Sequence, residues 1–179
     1  MVTNNYSPIL TDTTKQTFFE YIGSLNIPQI DYFAIGLQNI VTKKSISLMS
    51  LPEWQKHFMD NQYADYDPVR RITLYTKRNL IPFHEIDFVD NFGKEIMQQR
   101  KMMGIKNGIV LMQRFAKFNY MITLGTSFSK FDAFDFIKKY HDRVYLIKTD
   151  LTTLIKKDAI NFLPQVFLNP STHLSSGAK

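Results

Sequence analysis

Apolar positions in this chain recur at helical spacing, switch to alternation, and then return to helical spacing, a pattern that predicts a mixed α and β domain. Thr11 and Asp12 can cap a first helix running to about residue 24, with Phe18, Phe19 and Ile22 as its apolar stripe. Asn26-Ile27-Pro28 ends it. Residues 32–37 read as a strand, and residues 45–49 alternate like its neighbour across a loop carrying Lys43 and Lys44. Pro52 sits where a helix begins, since its missing N–H costs nothing in a first turn. Trp54 and Phe58 are four apart and share one face of that helix.

Pro68 opens a further helix expected to reach about residue 78, and its ring biases Asp67 towards the non-helical geometry of a cap. Residues 79–83 are expected to be extended. Asp87 can open a helix over 88–103, stopped by Gly104. Residues 108–115 and 118–126 read as two strands joined by a tight turn at Lys117. A turn at 127–129 is expected to cap a long last helix, 130–157. In it Ile137, Tyr140, Val144, Ile147, Leu151 and Leu154 recur at spacings of three and four, a narrow apolar seam. This order of elements gives an α+β sandwich, with no internal repeat.

Composition narrows the functional classes. A chain of 179 residues suffices for one domain with a full core. It has no cysteine, which excludes disulfides, thiolate zinc sites and a thiol nucleophile. The four histidines (57, 84, 141 and 173) show no metal-ligand spacing, and no cofactor is expected. No run approaches a membrane span or a signal peptide, so a cytoplasmic protein is expected. The net charge of +6 is spread along the chain, with its densest pairs (Lys43-Lys44, Arg70-Arg71, Lys138-Lys139, Lys156-Lys157) at element ends or exposed faces. That favours solvated faces over direct DNA binding. Glycines are scattered, no Gly-x-Ser-x-Gly is present, and the neighbouring pair His84-Glu85 alone does not make an active site, so no enzyme is expected.

One segment carries candidate chemistry. Residues 51–69 hold Trp54, Phe58, Tyr63 and the pair Asp67-Pro68, a carboxylate beside an aromatic wall. This segment resembles the ligand-binding domain of LuxR-type quorum-sensing regulators, where Tyr-Pro-x-x-Trp is followed four residues on by an aromatic, five further by Tyr, and then by Asp-Pro. Ile81-Pro82-Phe83-His84 is similar to that family's Leu-Pro-Phe-x-Trp, and residues 104–109 to its Gly-hydrophobic-x-x-Gly. The resemblance runs from about residue 12 to about 157. It implies an αβα sandwich, a central antiparallel sheet with helices on both faces, and a ligand between sheet and helices.

The resemblance also implies roles. Asp67 would accept the amide N–H of an acyl-homoserine lactone, and Trp54 would donate its indole N–H to the lactone carbonyl. Tyr63 would wall the pocket, with Phe58, Val69 and His84 beside it. Gly36, Ile46, Ile105, Val110 and Thr123 would line it from the sheet, Thr123 replacing a lost hydroxyl. Residue type alone gives plainer alternatives, which stay open: Asp67 as a helix cap, Trp54 and Tyr63 as core aromatics, and the strand residues as sheet core. The chain also departs from the pattern. Phe58 lacks the hydroxyl of the family's Tyr, Leu51 replaces the Tyr before Pro, and the Pro-to-Trp gap is one residue short. His84 and Glu85 stand where a Trp is expected, and the stretch from Asp67 to Pro82 is longer. These departures leave the pocket open to a different signal, or to none.

A LuxR-type regulator continues into a helix-turn-helix domain, which the residues after 157 do not provide. Residues 1–168 are therefore expected to form an autoinducer-binding-like domain followed by a polar tail, 169–179. Two functions fit. One is a sensor for an acyl-homoserine lactone or related amphipathic signal. The other is an interaction protein, forming a homodimer or pairing with a full-length LuxR-type regulator through the last helix's seam.

Overall fold

The computed structural model describes residues 10–158 apart from Val89; the expected polar tail, the domain limit at 168 and most of the loosely ordered start lie outside them. Five antiparallel strands form one sheet: β1 (Tyr32–Asn39), β2 (Ser45–Met49), β3 (Leu80–Pro82), β4 (Asn107–Phe115) and β5 (Phe118–Thr126). Their order is β2-β1-β5-β4-β3. Helices α1 (Asp12–Ser24) and α5 (Ala133–Lys156) cover one face, and α2 (Pro52–Asp60), α3 (Pro68–Tyr75) and α4 (Asn91–Met102) cover the other. The architecture is the αβα sandwich that the resemblance implied.

Period-two alternation distributes each strand between two cores. Phe33, Ile35 and Leu37 of β1 join Phe18 of α1 and Val144, Ile147 and Leu151 of α5. Tyr32 and Ala34, on the other face, join Trp54, Phe58, Val69, Ile96 and Met97 from α2, α3 and α4. Lying inside the sheet and covered on both faces, β1 is buried throughout. The α5 seam is thus core: Val144, Ile147 and Leu151 are buried, and Ile137, Tyr140 and Leu154 pack against the same cluster. On α1 Phe18 is buried and Ile22 packs against the same cluster, whereas Phe19 is exposed and sets its ring edge-on to Phe18.

Element ends differ from expectation where a better cap was available. Helix α4 starts at Asn91, three residues later than expected, because the Asp90 carboxylate accepts the Gly93 N–H at 2.7 Å. Gly93 also lets the start of α4 approach α3: a Cβ there would lie 3.0 Å from Pro68 Cγ. Helix α5 is capped by Asp132, which accepts from Phe134 and Asp135, both at 2.9 Å. Ser127 instead binds the Asp31 carboxylate. Helix α3 stops at Tyr75, short of 78. Arg114 of β4 donates to the Thr73 and Thr76 carbonyls, taking up acceptors that another turn of helix would have used.

Candidate ligand site

The Pro52 helix presents Trp54 and Phe58 to the sheet as their spacing requires, and both are buried. A 3-10 turn over Tyr63–Asp65 then reverses the chain. Trp54, Phe58 and Tyr63 form a mutual cluster, with ring centroids 5.8 Å, 6.0 Å and 6.2 Å apart. Asp67 follows as the N-cap of α3, accepting the Val69 N–H at 3.2 Å. The cap reading of Asp67 therefore holds, and the same carboxylate has a second partner. Arg100 of α4 donates through Nη2 to both Asp67 oxygens at 3.0 Å, and through Nη1 to Met97 Sδ at 2.8 Å.

This ion pair is almost wholly withdrawn from water, with the Arg100 and Asp67 side chains 4% and 6% exposed. The guanidinium lies over Trp54 at 5.5 Å and over Phe83 at 5.8 Å, so its charge is shared with two ring faces. Tyr32 completes the group. Burial pushes its phenol pKa well above the ordinary range; Arg100 opposes the shift, Asp67 adds to it, and the nearby Trp54 indole opposes it. The Trp54 indole itself is fully buried; its Nε1 makes no well-formed hydrogen bond among the described residues, although it lies near enough to the Tyr32 hydroxyl to favour the phenolate. A buried donor left unpaired costs about 1–3 kcal/mol.

A cavity of about 60 Å³ opens beside this cluster, lined in part by Gly36, Phe58, Asp67, Val69, Arg100 and Thr123. Six of the sequence-derived candidates are therefore at or bordering one space: Gly36, Ile46, Phe58, Asp67, Val69 and Thr123. Trp54 and Tyr63 stand just behind as its aromatic wall. Three others are placed differently. Ile105 and Val110 are packed in the core of this layer and do not border the cavity. His84 lies on the surface with its side chain 58% exposed, because the 3-10 turn over Phe83–Glu85 sends Phe83 inward and His84 outward. Ile46 borders the cavity, but its side chain packs with the α1 and α5 cluster; alternation gives this face to Ser45 and Ser47.

Gly36 has a definite use. A Cβ there would come within 2.9 Å of Met121 Cε, so the glycine makes room for Met121 to lie across the cavity floor. Met121 Sδ in turn accepts from the Thr73 hydroxyl at 3.0 Å. Sequence reasoning missed Arg100, Tyr32 and Met121, and read Arg70 as surface charge although it is buried. For Arg100 a signal existed: Gly93, Ile96, Met97 and Arg100 are the buried face of α4, at helical spacing. A charge on an apolar stripe calls for a buried partner. Among the described residues no three His, Asp or Glu side chains are grouped to hold a metal ion, and no helix is long and apolar enough to cross a membrane.

Fold and site together define an α+β domain built around a one-sided pocket between the sheet and three helices. The family model for the autoinducer binding domain matches residues 15–149, and the chain belongs to that family. No curated protein sequence matches the chain. Solved structures do. One is the N-acylhomoserine lactone dependent LuxR family transcription factor CepR2 from Burkholderia cenocepacia, with a TM-score of 0.54 and 17% identity over 71% of this chain and 73% of that one. Another is Escherichia coli SdiA, whose complex with octanoyl-rac-glycerol has a TM-score of 0.57 and 12% identity over 93% of this chain and 73% of that one. A third is the VqsR LBD domain from Pseudomonas aeruginosa, with a TM-score of 0.54 and 14% identity over 83% and 86%. At these identities the likeness is one of fold.

Proposed function

We propose that this domain senses a small amphipathic signal, an acyl-homoserine lactone or a related ester, with its polar head at Trp54 and Arg100 and its chain along the sheet. The observation that carries this reading is the Trp54 Nε1 donor, buried and unpartnered beside an ionic cluster. Indole offers a donor and no acceptor, so its complement is a carbonyl oxygen. Arg100 is the second donor at this place. It supplies a polar hydrogen where Phe58 lacks the hydroxyl of the family pattern, and Asp67 holds it in position. Arg100 at the wall, with the Trp54 donor just behind it, suits the carbonyls of a lactone or ester better than an amine or a sugar.

A drug-sized ligand needs about 300 Å³ or more. The cavity of about 60 Å³ must therefore widen to take one. Met121, unbranched and mobile about its side-chain bonds, is the residue to yield. Binding then stabilises the fold by mass action. The test is thermal melting of the purified chain with N-acyl-homoserine lactones of increasing chain length. A concentration-dependent rise in Tm, diminished in Trp54→Phe, is the expected result. An unchanged Tm across the series, with no ligand retained in native mass spectrometry, sinks the proposal.

A further inference from the structure

A second and larger cavity, about 440 Å³, lies on the same sheet face at the far end of α3. It shares Ala64 and Arg70 with the cavity at Asp67, so the two adjoin along the sheet face. On β1 the face runs Tyr32, Ala34, Gly36, Gln38, and on β5 it runs Thr123, Met121, Asn119. A ligand whose head sits near Trp54 and whose chain follows the sheet past Met121 therefore ends among Gln38, Arg70 and Asn119.

That end is not built for a methyl group. Gln38 and Asn119 are each 1% exposed, yet Gln38 Oε1 and Asn119 Oδ1 have no hydrogen-bond partner among the described residues. The Asn119 amide is oriented by its own bonds: Nδ2 donates to the Thr73 carbonyl and hydroxyl, both at 3.2 Å, so Oδ1 is the atom left free. Arg70 is 9% exposed, and its Nε is likewise unpartnered. Its other nitrogens are held by the Ala64 and Lys43 carbonyls and by Asp65, which fixes the guanidinium at the wall. The lining carries Lys43, Arg70, Arg71 and Arg114 against the carboxylate of Asp65; with Arg71 paired to Asp90 at 2.9 Å, a net excess of two positive charges remains. Buried acceptors call for O–H or N–H donors, and a fixed Nε within an excess of positive charge calls for an anion.

We propose that the signal taken by this domain ends in a polar, anionic group, a carboxylate accompanied by a hydroxyl or amide donor, held by Arg70 with Gln38 and Asn119. The inference rests on the signal-sensing reading above and adds the chemistry of the signal's far end. A plain alkyl terminus would leave three buried polar atoms unpaired; a hydroxylated carboxylate pairs Arg70 Nε and one of the two acceptor oxygens. Met121, lying between the two cavities, is the side chain that such a ligand displaces.

The test is calorimetric titration of the chain with two N-decanoyl-homoserine lactones, one unmodified and one ending in a carboxylate with a hydroxyl on the adjacent carbon in place of the terminal methyl. The carboxylate form is expected to bind about tenfold more tightly or better. Gln38→Leu and Arg70→Gln should each shrink that preference to within about threefold. Gln38 makes no side-chain bond that the fold depends on, and the wild-type comparison stands even if Arg70→Gln unfolds. Binding of the methyl-ended lactone as tightly as the carboxylate form overturns this inference and leaves the sensor reading intact. Binding of neither overturns both.

Discussion

Arg100 Nη2 stands 3.0 Å from each oxygen of Asp67, so two residues thirty-three positions apart neutralise one another at the centre of the helical layer. The pair ties the C-terminal end of α4 to the N-terminus of α3 and faces the indole of α2. Breaking such a pair from one side leaves a buried charge uncompensated, which costs about 3–5 kcal/mol. Arg100→Met should lower stability by that amount in urea unfolding. Asp67→Asn retains a capping oxygen for Val69 but removes the charge, so it too should destabilise. In the double variant the two losses should fall short of their sum by about 1 kcal/mol or more. Strict additivity would show that the pair is not coupled.

Trp54 gives a second, opposite expectation. Its indole N–H is buried without a protein partner, so Trp54→Phe removes an unpaired donor while also leaving a small void. The two effects oppose each other and are each about 1–3 kcal/mol, so the net change in stability should be under about 1.5 kcal/mol. As the chain's one tryptophan, Trp54 also reports on its own site. Its emission should shift when a lactone is added to the wild type. A loss of several kcal/mol in Trp54→Phe would mean the N–H has a strong partner in the free protein.

These two residues show how far the sequence could be read. Trp54, Phe58 and Asp67 were legible because prolines at 52 and 68 mark helix starts and local spacing then sets the faces. The sheet was legible from alternation. Arg100 was not, since its partner comes from another helix and Arg100-Lys101 near a helix C-terminus reads as an ordinary response to the helix dipole. Gln38 and Asn119 were hidden for a related reason: a polar residue near a strand end is expected in solvent, and only the position of α3 encloses them. His84 was carried over from the resemblance alone; Ile81 and Phe83 face the pocket layer, so alternation already gives His84 the other side, and the 3-10 turn leaves it exposed.

The α5 helix separates a packing role from an interaction role. Val144 is 4% exposed and lies in the core with Ile147 and Leu151, so Val144→Asp should unfold the domain, by about 3 kcal/mol or more. It cannot report on pairing. Leu146, 58% exposed on the same helix, is the informative position. Leu146→Asp should leave the urea midpoint within about 0.5 kcal/mol of wild type. A large loss at Leu146 would show that this face is covered in solution, and size-exclusion chromatography of the two proteins would reveal by what.

The buried phenols set an alkaline limit. Tyr32 is pushed up chiefly by burial, Tyr120 by burial, and Tyr21 by burial and by its 2.7 Å bond to the Asp150 carboxylate. All three start from an ordinary value of 10.0 and are higher in the folded chain. The unfolded chain therefore loses these protons first as pH rises. Stability is fully present below about pH 10 and falls above it, until the folded phenols themselves ionise. For Tyr32 alone the fall is about 1.4 kcal/mol for each pH step in that window. Urea midpoints should be flat from about pH 8 to 9.5 and decline from about 10 upward. Tyr32→Phe should make the decline shallower. If the wild-type midpoint is level to about pH 11, Tyr32 is not shielded from water and the enclosed cluster around Arg100 and Asp67 is open in solution.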